Sequence, residues 1–548
     1  MRLGAVLLAL VAAAIVAAWG WLGAAVEMPA SPLGPGEKVQ CISYAPFRGD
    51  QDPFGPDVPI DPRQIEEDLA RLKPLTDCIR TYSVDHGLDQ IPEIAGRHGM
   101  KVMLGLWLSN RPDLSRHQIE TAVALAHRFP EVIQSVVVGN EVLLRGEMSA
   151  PDLANTIRSV KAQVTMPVTY ADVWEFWLRY RDLAAAVDFV TIHILPYWED
   201  FPIPVEQAAA HVASIRSEVA AAFPNRDILI GEFGWPSAGR MREGALPSRA
   251  NQARIIQEVV AQAKRDNHQV NLIEAFDQPW KRRLEGTVGG HWGLYDAYDR
   301  QAKFSWGAAV SNHPDWELQA GGGVALAAAV FAAALTARRR PTGPVPGAWL
   351  AIAGMAFVPG TLVGWTIENI PIESLTIGDW LRSLAWAAVA VLAPVAGAAA
   401  AASGTAIPSF AGILGPRAKR SHGGLALLLG TLLIVLAVLA MQAALGLDFD
   451  PRYRDFPFAP LTGSVFPFLM LAVLRRFDPE PRSGDETDDA VPALRRYPAA
   501  EAATAAVLGV SAVYIVFNET LANWQSLWFC AGLVALVFTL LRGRDAPG

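Results

Sequence analysis

From Val39 to about Trp280, short runs rich in Val, Ile and Leu alternate with longer amphipathic stretches, whereas after Trp316 polar stretches become rare. The short runs predict strands at 39–45, 78–83, 101–107, 133–140, 167–171, 188–195, 227–232 and 270–276. The stretches between them predict helices at about 62–73, 88–98, 115–128, 150–163, 174–185, 204–222 and 248–265, several introduced by Asp, Ser or Pro. Such alternation is the pattern of repeated βα units. Eight strands in roughly 280 residues suit one (β/α)₈ TIM barrel.

Residues 3–26 are an almost uncharged run behind Arg2. At about 1.5 Å per residue it is long enough to cross roughly 30 Å of hydrocarbon. It reads as a signal anchor, and Gly23-Ala24-Ala25 offers the alternative of a small-residue cleavage site. Either one exports the barrel region. Apolar segments recur at about 318–337, 347–367, 380–402, 424–446, 458–474, 499–517 and 523–541, the run at 458–474 being short and containing Pro467. The expected organisation is an anchor and linker over 1–37, an α/β barrel over 38–316, and an all-α membrane domain of about seven helices over 317–548.

If the barrel lies outside, basic loops should fall on the inner side. Arg338-Arg339-Arg340, then Arg417, Lys419 and Arg420, then Arg475, Arg476, Arg495 and Arg496, and finally Arg542 and Arg544 all do so. The outer loops carry Glu368, Glu373, Asp448, Asp450 and Asp455, with Arg452 and Arg454 as exceptions. Ionisable residues such as Arg382 and Glu501 sit near predicted helix ends, so the spans read as an anchor rather than a conduit. The acidic stretch 477–492 reads as a solvated inner loop.

Composition agrees with a membrane protein: 52% of residues are apolar, 18% are charged, and mean hydropathy is +0.23. A net charge of −8 excludes a generally basic nucleic-acid surface. Cys41, Cys78 and Cys530 lack metal-site spacing. Cys41 and Cys78, on adjacent predicted strands, are expected to pack as two small thiols; a bridge in an oxidising compartment is the alternative.

In such barrels the chemistry sits where strands end. The fourth strand finishes Val138-Gly139-Asn140-Glu141, and the seventh finishes Gly231-Glu232-Phe233-Gly234-Trp235-Pro236. Strands four and seven lie on facing sides of a barrel mouth, so both carboxyls can point at one bound molecule. Two carboxyls about 5 Å apart are what retaining glycoside chemistry requires. One must be protonated to donate to the leaving oxygen, and the other ionised to attack the anomeric carbon. Asn140 is placed to hold a sugar 2-hydroxyl. Taken singly, Glu141 could serve a following helix N-terminus and Glu232 could pair with an arginine such as Arg240.

Aromatic residues crowd the same mouth: Tyr44, Trp107, Tyr170, Trp174, Trp177, Tyr197, Trp198, Trp235, Trp280 and Trp292. Flat rings with polar edges stack on sugar faces. Tyr44, Tyr170, Tyr197, Trp198, Trp235 and Trp280 are the cleft candidates, with Lys281 and Glu285 as further substrate contacts; Trp177 reads as filler between barrel and helices. His193 reads as a hydrogen-bonded core residue. No metal or cofactor is expected.

These motifs resemble glycoside hydrolase family 17, the β-1,3-glucanase family of retaining barrels. Val138-Gly139-Asn140-Glu141 looks like its acid/base motif and Glu232-Phe233-Gly234-Trp235-Pro236-Ser237 like its nucleophile motif, with Phe233 where Ser or Thr is commoner. Further similarity lies in Pro196-Tyr197, in Phe276-Asp277 with Lys281 and Glu285, and in His291-Trp292-Gly293-Leu294. His193 departs from the family, standing where plant members tend to have Asn. The resemblance implies Glu141 as acid/base and Glu232 as nucleophile.

A barrel tethered to C-terminal spans also resembles a proteobacterial branch linked to β-1,3- and β-1,6-glucan building, in which the barrel is a transglycosylase. That implies a multi-pass protein of the bacterial inner membrane with its barrel in the periplasm. Its partners would be β-1,3-glucan donor and acceptor chains, the lipid bilayer and a membrane glucan synthase. Hydrolysis of the same glucan, or glucan binding without turnover, are the alternatives. Asp448-Phe449-Asp450 has metal-phosphate spacing, but an outer loop and the lack of a Gly-rich phosphate loop argue against a nucleotide-sugar transferase.

Overall fold

The computed structural model describes residues 2–55, 59–338, 346–414, 423–477 and 498–542. They form two compact units, one of Ala25–Val310 and one of Met1–Ala24 with Ser311–Gly548.

In the first unit, eight parallel strands close a barrel in sequence order. They are β1 (Cys41–Ser43), β2 (Cys78–Arg80), β3 (Lys101–Leu106), β4 (Ile133–Asn140), β5 (Val168–Val173), β6 (Val190–His193), β7 (Ile228–Phe233) and β8 (Gln269–Leu272). Each overlaps a predicted run. The helices follow the expected order, and their starts are locally encoded. Asp61 accepts a hydrogen bond from the Arg63 N–H at the head of Pro62–Leu72, and Ser149 does the same for Asp152 at the head of Ala150–Lys161. The stretch predicted as one helix over 174–185 divides into Trp174–Arg179 and a 3₁₀ segment, Arg181–Ala185, because Tyr180 between them leaves helical geometry. A short helix, Arg282–Gly289, comes after β8, beyond the predicted helical stretches.

Side chains on a strand alternate faces. Ile42, Ile79, Val102, Leu104, Val136 and Val138 pack outward against the helices, while Cys41, Cys78, Met103, Val137, Ala171 and Leu229 form a separate apolar cluster. The register of β1 on β2 sets Ile42 beside Ile79, which brings Cys41 and Cys78 together with Cα atoms 4.5 Å apart. They form a disulfide, correcting the expectation of two packed thiols. It closes a sequence separation of 37 residues, which in the chain-entropy account stabilises the barrel by about 4 kcal/mol. Replacing both cysteines by Ala in the full chain is expected to lower the denaturant midpoint of barrel unfolding clearly; an unchanged midpoint contradicts this.

In the second unit, seven described helices are long and apolar enough to cross a membrane: Leu3–Leu22, Trp316–Ala337, Gly347–Glu373, Ile377–Ser403, Gly424–Phe449, Ala500–Glu519 and Trp524–Leu541. Phe458–Val473, interrupted by Pro467, has 16 residues. At about 1.5 Å per residue it falls short of the roughly 30 Å core. Arg382 pairs with Asp379 at 3.2 Å in the first turn of its helix, and a Glu501 carboxylate oxygen accepts from the Phe410 N–H at 3.2 Å. Of the basic loop residues, Arg338, Arg475 and Arg476 are described. Arg339, Arg340, Arg417, Lys419, Arg420, Arg495, Arg496 and Arg544, the side chain of Arg542, and the acidic stretch beyond residue 477 lie outside the described residues.

Candidate active site

Strands β4 and β7 deliver Glu141 and Glu232 to one place. Glu232 lies within β7, and Glu141 follows β4 with a φ of 53°. That left-handed backbone costs a residue with a Cβ roughly 1 kcal/mol, and such cost is typically kept where a side chain must be aimed. One oxygen of each carboxylate and a ring nitrogen of His193 all lie within 4.8 Å of one another.

Arg80, the inward-facing last residue of β2, is the hub of this cluster and is fully buried. Its guanidinium donates from Nη1 to the Gly231 carbonyl at 2.7 Å and to Glu232 Oε1 at 3.2 Å, and from Nη2 to Asn140 Oδ1 at 2.6 Å. A Cβ at position 231 would meet Thr191 Cγ2 at 2.3 Å, so only glycine allows the approach. The Tyr82 hydroxyl donates to Glu232 Oε1 at 2.8 Å and lies 2.7 Å from Ser43 Oγ. Asn271 Nδ2 donates to Ser43 Oγ at 2.8 Å and to the Gly231 carbonyl at 2.6 Å. His193, also buried, lies 2.8 Å from Glu141 Oε1 through Nδ1 and 3.5 Å from Glu232 Oε1 through Nε2. Among the described residues, therefore, the bonds to each glutamate fall on Oε1. Oε2 is the oxygen available to a ligand.

Burial by itself raises the Glu141 carboxyl. The hydrogen bond from His193, together with the positive potential of Arg80 and Arg145, holds the group below the ordinary glutamate range. Asp172 is pushed up to about 6, first by burial and then by the Glu141 charge, against the hydrogen bond from Tyr170. Beyond β8, Glu274 is pushed up to about 7 by burial although Lys281 Nζ pairs with it at 2.7 Å. Burial also raises Glu285. Glu141, His193 and Glu232 offer metal-ligand atoms, but the Arg80 guanidinium already supplies a permanent cation against Glu232 and His193.

Of the sequence candidates, Glu141, Glu232 and Asn140 come together. Lys281 and Glu285 stand in the same electrostatic neighbourhood, since the Glu232 charge acts on both. Trp280 and Trp198 are partly exposed. Phe54, 60% exposed, places its ring 5.6 Å from Trp280 and 6.2 Å from Trp107. Tyr44, Tyr170, Tyr197 and Trp235 are corrections: each is at most 1% exposed and offers no surface to a sugar. Tyr44 follows the inward-facing Ser43, so strand alternation turns it to the helix layer, where its hydroxyl donates to Asp68 Oδ2 at 3.1 Å. Tyr170 likewise turns outward, next to Trp177. The Tyr197 hydroxyl donates to the Arg240 carbonyl and Trp235 Nε1 to the Leu246 carbonyl, edge to face with each other.

Arg80, Tyr82 and Glu274 are site residues that sequence reasoning misses. A signal for Arg80 is present, a charged residue at an inward position of a predicted strand. His193 is buried and hydrogen-bonded as expected, and its partner is Glu141.

Residues 41–293 match the family model described as the BtgE/BtgC glycoside hydrolase domain. A glucan 1,3-beta-glucosidase from Arthroderma benhamiae is 28% identical over 279 residues, covering 46% of this chain and 88% of that protein. A probable beta-glucosidase, btgE, from Aspergillus oryzae is 27% identical over 277 residues, covering 49% of this chain and 44% of that one. This chain thus spans less than half of that second relative. Among solved structures, the glycoside hydrolase family 17 beta-1,3-glucanosyltransferase from Rhizomucor miehei is 26% identical with a TM-score of 0.43, covering 48% of this chain and 95% of that one.

Proposed function

From a barrel that matches the BtgE/BtgC glycoside hydrolase domain, we propose that this protein is a membrane-tethered, retaining β-1,3-glucan transglycosylase of glycoside hydrolase family 17 working on the outer face of a bacterial inner membrane. The observation that carries the reading is the pair of carboxylates from β4 and β7 within 4.8 Å. Retaining enzymes hold theirs about 5–5.5 Å apart, whereas inverting enzymes leave room for a water.

Glu232 Oε2 attacks the anomeric carbon as Glu141 gives its proton to the departing oxygen, which leaves a glucosyl ester on Glu232 and a carboxylate on Glu141. In the second step Glu141 takes the proton of an incoming hydroxyl, that oxygen bonds to the anomeric carbon, and Glu232 departs as carboxylate. Arg80 and Tyr82 bond only Oε1 of Glu232, so the nucleophile is oriented while its second oxygen stays available. Because Arg80 has only donors, it fixes Asn140 with Oδ1 inward and leaves the amide nitrogen for the sugar 2-hydroxyl. Phe54, Trp107 and Trp280 offer ring surface on one side of the mouth, and Trp198 on another.

Two features support outward placement. The Cys41–Cys78 disulfide belongs to an oxidising compartment, and the basic loops alternate as an outside barrel requires. The relatives named glucosidases support β-1,3-glucan as substrate.

Transfer and hydrolysis share the glucosyl intermediate and differ in which acceptor takes the second step. Transfer prevails when an acceptor glucan is held in place and so gains effective concentration. A tether beside a membrane that exports glucan would supply acceptor locally. The test is incubation of the full-length protein in detergent with a single β-1,3-gluco-oligosaccharide. Products longer than the starting chain are expected; exclusively shorter products would make the protein a hydrolase.

A further inference from the structure

His193 closes β6 with its ring buried between the two carboxylates, and the neighbours of its two nitrogens differ. Nδ1 faces Glu141 Oε1 at 2.8 Å. Nε2 faces Nη1 and Nη2 of Arg80, each at 3.4 Å, with Glu232 Oε1 at 3.5 Å. A guanidinium carries only donors and keeps its charge, and Glu232 Oε1 already receives the Tyr82 hydroxyl and the Arg80 N–H. The nitrogen that meets Arg80 is therefore the acceptor.

Resting on the catalytic reading above, we infer that His193 is a positioning residue locked by Arg80 in its Nδ1–H tautomer. Its one proton is donated to Glu141 Oε1, which turns Oε2 of Glu141 to the groove and stabilises the carboxylate that forms as the acid gives up its proton. One guanidinium thereby orients both halves of the chemistry. It holds the nucleophile by direct contact and the acid/base through an imidazole.

The electrostatic setting includes groups from every side. Arg80 acts on the pair from β2, Glu232 from β7, Arg145 from the turn after β4 and Glu285 from the helix after β8, and the Glu141 charge also reaches Asp172 and the outward-turned Tyr170 of β5. Burial, which favours the neutral acid, is opposed chiefly by the His193 bond. Without that bond the carboxyl moves upward. The alkaline limb of kcat/KM, which reports the free enzyme's acid, moves with it.

The experiment compares His193→Leu with His193→Asn in the full-length protein, following kcat/KM on a β-1,3-gluco-oligosaccharide against pH. Leu removes the donor, and the alkaline limb is expected to rise by about one to two pH units, the worth of a charge-assisted hydrogen bond. Asn restores an N–H and should return the limb to within about half a pH unit of the parent, on the same scale. Equal limbs in Leu, Asn and parent would overturn the inference and leave His193 as packing. Selective ¹⁵N-histidine NMR of the parent protein adds a readout independent of turnover. A neutral ring protonated on Nδ1 is expected, and an imidazolium or an Nε2–H ring overturns the assignment. Should the parent form no product from β-1,3-glucan, the functional reading fails, while the tautomer is still decided by NMR.

Discussion

Exchange of Glu232 for Gln is expected to lower turnover of β-1,3-glucan by on the order of 10⁴-fold or more while leaving glucan binding in place. Gln keeps the size and the hydrogen-bonding edge that meets Arg80 and Tyr82 but cannot form the glucosyl ester. Shortening the residue to Gly gives the sharper measurement. The Oε2 position is then open to azide, which attacks the anomeric carbon from the same face while Glu141 protonates the departing oxygen. A single displacement gives the α-glucosyl azide. If the protein only binds glucan, Glu232→Gln changes nothing measurable and azide yields no product. A burial argument bears on folding too: Arg80 is fully buried, and removing the carboxylate opposite a buried cation is destabilising. Gln, which retains the acceptor oxygen, is the variant to trust for turnover.

Replacement of Glu141 by Ala should separate substrates by leaving group. On glucan, whose departing hydroxyl needs a proton, kcat/KM is expected to fall by roughly 10²–10⁴-fold, the usual worth of general acid catalysis. On an activated aryl β-glucoside the first step needs little protonation, so the loss appears in the second step, where the base is missing and the ester on Glu232 accumulates. A burst of released phenol is the observation that checks this. Azide, needing no base, then resolves the ester by a second displacement and gives the β-glucosyl azide. Opposite azide anomers from the two variants would assign the two roles independently. The same anomer from both would reject the assignment.

Much of the architecture is legible from local pattern. Strand and helix runs carry their periodicity in the chain, and all eight strands and the order of the helices follow from it. Glu141 and Glu232 are visible because each ends a strand run, and barrel geometry assigns strand ends to a common mouth. Tyr44 and Tyr170 are misplaced when proximity to a strand end is weighed above the period-two alternation that turns them to the helix layer. Phe233 and the residues after it keep the strand-to-loop motif, yet Trp235 is buried by loop packing against Tyr197 rather than by anything periodic.

The sequence by itself determined the barrel class and set a glutamate at the ends of the fourth and seventh strand runs, since these depend on hydrophobic period and on residues close together in the chain. Tertiary structure alone decided what surrounds those acids. Arg80 meets Glu232 across 152 positions, His193 meets Glu141 across 52, and Cys41 meets Cys78 only because one strand register places them side by side. Such contacts are set by strand stagger and the inward or outward sense of each side chain around a closed sheet. No local stretch of the chain contains that information.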